Sequence, residues 1–109
     1  MRSIKHGYRA RLWRQRAKHQ NERARKVYRV PGHISGFELY SLWILSEKKC
    51  YLCGIETKLY EGLNGTRPDK LAFDHKRSMS RGGTNSIDNY AVCCTECNTK
   101  KSTEEYLYD

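Results

Sequence analysis

The chain has 109 residues, of which 38% are hydrophobic, and a mean hydropathy of −0.89, so it has room for one domain with a small core. No apolar run approaches the roughly 20 residues that a membrane span needs. The arginine-rich start also lacks the apolar segment of a secretory signal. We therefore expect a cytoplasmic protein with no membrane partner, in which cysteines stay reduced and closely spaced pairs bind metal.

The formal charge of +9 is concentrated at the N-terminus. The first thirty residues carry eleven Lys and Arg side chains against one acid, Glu22, and the other 79 residues are nearly neutral. A polyanion is the expected partner, because each neutralised phosphate releases a counterion. The alternative is a solvated tail that only keeps the protein soluble.

Residues 8–29 contain neither Pro nor Gly and are rich in helix-forming residues, which predicts a helix. Pro31, Gly32 and Gly36 oppose its continuation. We predict a basic, helical nucleic-acid-binding arm over residues 1–33. Its expected phosphate contacts include Arg9, Arg11, Arg14 and Arg16.

The remaining residues, 34–109, predict a small α+β domain. Ser35 followed by Glu38 has the spacing of a capping box and predicts the start of an apolar helix. The segments LAFDH and YAVCC predict two short buried strands, separated by a loop rich in Gly, Ser and Asn. A helix is predicted from about Thr95 to Tyr106.

The five cysteines predict a metal site. Cys50 and Cys53 have the two-residue spacing of a zinc knuckle, and a glycine follows them. The second pair has two candidates, Cys94 with Cys97 or Cys93 with Cys97, and only the first reproduces that spacing. Adjacent residues of a strand point to opposite faces, so we expect Cys93 to pack as a small hydrophobic side chain. Four thiolates then predict a closed structural zinc site with no open position for catalysis.

The motifs CYLCG, FDHKRSMSRGGTNSIDNYAVC and CTECNTKKS, in this order and spacing, resemble the HNH endonuclease family in its four-cysteine form. The resemblance covers roughly residues 36–103 and implies a ββα-metal core, the His-Me finger. It implies that His75 is the general base, Asp74 a ligand of the catalytic cation, and Asn89 the residue that orients the loop and the histidine. The second ligand position, a histidine in the family's name, is Asn98 here, so the chain resembles the H-N-N variant.

The resemblance implies that residues 34–109 form a metal-dependent DNA endonuclease domain, from a bacterial or phage-infected cell. Oxygen ligands from Asp74 and Asn98 favour Mg²⁺ or Mn²⁺ as the catalytic ion. Arg81, Lys100 and Lys101 are expected near the phosphates of the DNA, and a monomer is favoured. The alternative is a non-catalytic, zinc-stapled module that binds nucleic acid.

Overall fold

The structure is a computed structural model that describes residues 7–60 and 67–107, with side chains as far as Lys101. The first six residues of the predicted arm, including Arg2 and Lys5, lie outside the described residues. Among the described helices, none is long and apolar enough to cross a bilayer.

The basic N-terminal segment forms helix α1, Ala10–Arg23, which continues as a π-helical segment, Ala24–Tyr28. The helix predicted over residues 8–29 is therefore present, but its last turn is wider than an α-helix. Trp13, Ala17 and Ala24 are buried, at spacings that place them on one face of the helix. Most of the arginines in this segment are exposed.

Helix α2, Gly36–Leu45, begins at the predicted capping box, with both of its hydrogen bonds formed between Ser35 and Glu38. It packs directly against α1. A Cβ atom on Gly36 would lie 2.6 Å from the backbone carbon of Trp13, so a larger residue would push the helices apart.

The indole of Trp13 is the centre of the core between the helices and the sheet. It is 1% exposed, and its ring centroid lies 5.5 Å from those of Tyr40 and Trp43 and 6.1 Å from that of Phe73. Burying a large side chain of this kind contributes about 3 kcal/mol to folding. The basic helix therefore packs into the same hydrophobic core as α2 and the sheet residue Phe73. The predicted division into an arm and a nuclease domain at residue 33 stays a prediction.

Two strands and a helix complete the fold. Strand β1, Leu71–His75, pairs antiparallel with β2, Tyr90–Cys94, and helix α3, Thr95–Leu107, follows β2 without a linker. The prediction of a small α+β fold with a ββα core is confirmed. Leu71 pairs with Cys94 and His75 with Tyr90, so the β1 end that carries the histidine lies opposite the start of β2.

Candidate active site

The four cysteines predicted to bind zinc lie together. Their sulfur atoms are all within 4.8 Å of one another, and the set consists of Cys50, Cys53, Cys94 and Cys97. The Sγ atoms of Cys53 and Cys94 are 3.8 Å apart. Tetrahedral zinc with Zn–S bonds of ~2.3 Å requires sulfurs about 3.8 Å apart. The residues therefore fit a structural zinc ion, held between the loop after α2 and the junction of β2 with α3.

In each knuckle a backbone NH group points at a sulfur atom. Leu52 donates its NH to the Sγ of Cys50, and Cys97 donates to the Sγ of Cys94, both at 3.4 Å. Burial opposes ionisation of Cys50, but backbone hydrogen bonds outweigh it and lower its pKa to about 6. Cys93, in contrast, is fully buried, and burial raises the pKa of its thiol. Cys93 lies outside the quartet, as predicted from the strand geometry.

A second cluster lies at the end of β1, in a cavity of about 170 Å³. Asp74, His75 and Asn98, which the sequence analysis assigned to catalysis, all line it. Its other walls come from the N-terminal helical segment, from β1 itself and from the loop after β1, through Arg23, Tyr28, Phe73, Ser78 and Met79. Strand β1 ends at His75, and Asp74 and His75, although neighbours in the sequence, both line this cavity.

The imidazole ring of His75 packs against a tyrosine, and one of its nitrogen atoms makes no hydrogen bond within the described residues. Its ring lies 4.4 Å from the ring of Tyr90, and its Nε2 is buried without a hydrogen-bond partner among the described residues. Burial lowers the pKa of His75, and the positive charge of Arg23 lowers it further. The imidazole is therefore mostly neutral near pH 7, which is the form that accepts a proton.

Asn89 holds the loop that follows the histidine. Its Oδ1 accepts from the NH of Arg77 at 2.9 Å, and its Nδ2 donates to the carbonyls of Arg77 and Thr84 at 3.0 and 2.9 Å. Its own carbonyl accepts from the NH of Lys76, the residue after His75. The side chain thus ties both ends of the loop to the start of β2, in line with the orienting role expected for it.

The family model for the HNH endonuclease matches residues 50–104, just over half of the chain. The chain belongs to the HNH endonuclease family. Comparison with curated proteins and with solved structures finds no significant match. The matched segment contains the cysteine quartet and the second cluster, whereas the basic helix α1 precedes it.

The carboxylate of this HNH site is already paired. Lys101 Nζ lies 2.6 Å from Asp74 Oδ2 and 2.9 Å from the carbonyl oxygen of His75, and the Tyr51 hydroxyl donates to the same Oδ2. Burial opposes the charge on Lys101, but its hydrogen bonds to Asp74 and Tyr51 outweigh this and raise its pKa. Lys101 was predicted to contact DNA phosphates. In the structure it pairs with the carboxylate of Asp74, and its contact with nucleic acid stays a prediction.

The donor set of the cavity suits a hard cation. Asp74 offers its second carboxylate oxygen, Oδ1, and Asn98 offers an amide oxygen, and oxygen ligands of this kind are those that Mg²⁺ and Mn²⁺ prefer. The residues therefore fit a hard divalent cation, with an amide oxygen at the position where the family's name has a histidine.

Sequence reasoning missed Asn85. It is 1% exposed, its Nδ2 donates to Asn21 Oδ1 at 3.0 Å and to the Gly32 carbonyl at 3.1 Å, and its Oδ1 accepts from the Tyr90 hydroxyl. It therefore links α1 to the tyrosine that packs on His75. Arg23 and Tyr28 were also missed. Their positions on a basic helix give no local signal that they reach the cavity.

The other predicted DNA contacts lie on the surface. Arg9, Arg11 and Arg14 are exposed along α1, and Arg16 is partly buried beside the core face. Lys100 pairs with Glu96 at 3.3 Å on the outer face of α3. Arg81 is exposed at the loop, and its carbonyl accepts from Arg77. Their contacts with nucleic acid stay predictions.

Proposed function

We propose that this chain is a metal-dependent DNA endonuclease that hydrolyses phosphodiester bonds, with His75 as its general base. One observation carries the proposal. The histidine, the carboxylate of Asp74 and the amide of Asn98 line a single cavity within a chain of the HNH family. A phosphodiester is anionic and resists attack, so its hydrolysis needs both a proton acceptor and a positive charge.

In the proposed reaction the neutral imidazole of His75 accepts a proton from a water molecule as its oxygen adds to phosphorus. The bond from phosphorus to the 3′ oxygen then breaks, and that oxygen takes a proton from solvent, which leaves a 5′-phosphate and a 3′-hydroxyl. Asp74 and Asn98 would hold the divalent cation, which supplies charge stabilisation for the phosphorane and the leaving oxygen when bound. Asn89 positions His75 through the loop.

The test is cleavage of supercoiled plasmid by the purified, zinc-loaded chain in Mg²⁺ or Mn²⁺, compared with His75→Ala. Loss of a general base lowers the rate by roughly 10²–10⁴-fold, so the variant should be almost inactive while its zinc content and circular dichroism match wild type. Wild-type protein that cuts in neither ion, or an alanine variant that cuts equally well, would contradict the proposal.

A second candidate is a zinc-stapled DNA-binding module without catalysis. The contact between Lys101 and Asp74 favours it, because an ammonium at 2.6 Å competes with a cation for that carboxylate. Mild EDTA treatment separates the two functions. A nuclease loses cleavage but keeps zinc, fold and most of its DNA binding, whereas the binding module has no cleavage to lose and is unaffected.

A further inference from the structure

A second cavity adjoins the one at His75 and lies between the basic helix and the sheet. It has a volume of about 380 Å³ and shares Arg23, Phe73 and Asn98 with the cavity at His75. One wall of this second cavity is the side of α1 that carries Arg16, and the other is β1 with the preceding Lys70. The two adjoining cavities are together called the α1–β1 cleft, which follows β1 and has the histidine at one end.

The α1–β1 cleft is positively charged. Arg16, Arg23 and Lys70 contribute cationic side chains, and Asp74 is the only acid among the described lining residues. Because Lys101 pairs with Asp74, that one negative charge is compensated. A groove with this balance attracts a polyanionic chain, and its narrow walls concentrate the field.

Helix α1 is fixed against the cleft rather than tethered beside it. Trp13 anchors its core face, and Asn21, two residues before Arg23, exchanges hydrogen bonds with the backbone of Ile34 and accepts one from Asn85. These contacts hold the end of the helix beside the loop of the nuclease core. A side chain at position 23 is therefore placed relative to His75 by rigid elements.

Arg23 stands where the two cavities meet. Its side chain is exposed, and in the described part of the chain no carboxylate pairs with it. The guanidinium carbon lies 5.9 Å from the ring centroid of Tyr28. The π-helical segment, Ala24–Tyr28, begins directly after Arg23, and both Arg23 and Tyr28 line the cavity. Such wide turns are frequent at functional sites.

We infer that Arg23 binds a phosphate of a nucleic-acid strand lying in the α1–β1 cleft, and so positions the scissile phosphodiester at His75. A guanidinium suits this task, because its planar fork pairs with two phosphate oxygens at once. The inference rests on the proposed nuclease function and extends it to a residue outside the segment that matches the family. It makes the basic helix a wall of the catalytic site.

The experiment compares Arg23→Gln and Arg23→Lys with Arg25→Gln, a matched control. Arg25 is exposed, and its replacement by Gln removes the same charge as Arg23→Gln. Its side chain lines a different groove, which shares no lining residue with the α1–β1 cleft. Two measurements are made for each full-length, zinc-loaded variant. One is the kcat and KM for a labelled oligonucleotide, and the other is the affinity for the same DNA in a His75→Ala background, which does not depend on cleavage.

We expect Arg23→Gln to lower kcat/KM by roughly 10- to 100-fold, as for loss of a charge-assisted hydrogen bond. The salt dependence of its binding should fall by about 0.7–0.9 in slope, the value for one phosphate. Arg23→Lys should recover part of kcat/KM, because it restores the charge without the fork. Arg25→Gln should change kcat by less than about twofold.

The inference is overturned if Arg23→Gln binds and cleaves like wild type, or if Arg23→Gln and Arg25→Gln lose activity and affinity equally. The latter result would mean that total charge, not the cleft, is what matters. If wild-type protein cuts in no divalent ion, the nuclease proposal fails by itself. The binding comparison then still decides whether Arg23 contacts the strand.

Discussion

Replacing Asn85 with alanine tests how the basic helix is joined to the catalytic histidine. The side chain is 1% exposed, and all of its hydrogen-bonding groups are used. Both hydrogens of Nδ2 are donated, one to Asn21 and one to the Gly32 carbonyl, while Oδ1 accepts from the hydroxyl of Tyr90. Alanine removes three hydrogen bonds and leaves a cavity the size of an amide.

The expected loss of stability follows from the burial of the partners. Tyr90 is 1% exposed, so its hydroxyl loses its partner without gaining water, which costs about 1–3 kcal/mol. The bonds from Asn85 to Gly32 and to Asn21 cost less when lost, about 0.5 kcal/mol each. Gly32 is exposed to water, and Asn21 still accepts the hydrogen bond from Ile34. The total is about 3 kcal/mol, which lowers the Tm of a domain of this size by roughly 10–20 °C.

Thermal unfolding of the zinc-loaded protein, followed by circular dichroism, measures this loss. Ser80→Ala, an exposed change in the same loop, serves as control and should cost less than about 0.5 kcal/mol. Tyr90→Phe and the Asn85→Ala/Tyr90→Phe double variant complete a double-mutant cycle. Its coupling energy should exceed about 0.5 kcal/mol, because the side chains of Asn85 and Tyr90 share a hydrogen bond. An Asn85→Ala variant as stable as the Ser80→Ala control, or an additive cycle, would refute this account of the network.

Two further predictions concern the metals. Cys53→Ser should lose the stoichiometric zinc that a colorimetric chelator measures. It should also unfold at a much lower temperature, because structural zinc contributes ~10–16 kcal/mol of apparent binding energy. Cys93→Ala should keep the zinc and lower the free energy of unfolding in denaturant by only about 1–2 kcal/mol. Equal zinc loss in both variants would show that Cys93 is a ligand. Asn98→His should keep or raise plasmid cleavage and extend it to softer ions such as Ni²⁺ or Co²⁺, since imidazole replaces an amide oxygen. A folded Asn98→His variant that no longer cuts in any ion would show that the amide has another role.

The parts of the fold that sequence predicts well are those set by neighbouring residues. The capping box from Ser35 to Glu38 marks the start of α2, and the two apolar pentapeptides form strands with the predicted limits. The knuckle spacing selects Cys94 over Cys93, because a strand sends adjacent side chains to opposite faces. In each case the deciding interactions lie within a few residues, so a local pattern is sufficient.

The parts that sequence did not predict depend on contacts between distant residues. The bond between Asn21 and Asn85 spans 64 residues, and no local pattern indicates it. For α1 a signal was present, since Trp13, Ala17 and Ala24 recur on one face, but the density of arginine masks it. The π-helical segment then changes the register after Arg23, which brings Tyr28 to the cavity in a way that helical periodicity does not predict.

In the proposed nuclease, the pairing of Lys101 with Asp74 would allow one site to receive both a cation and an anion. A free carboxylate would attract the metal ion but repel the phosphodiester, whereas Lys101 and Tyr51 hold Oδ2 and compensate its charge. Oδ1 is then left for the ion, together with the amide oxygen of Asn98. Two protein oxygens, one on a carboxylate that is already paired, bind a divalent ion weakly, and the phosphate oxygens of the substrate are needed to complete its coordination. In the proposed nuclease this arrangement would couple ion binding to DNA binding, with Arg23 at the mouth of the cavity favouring the DNA.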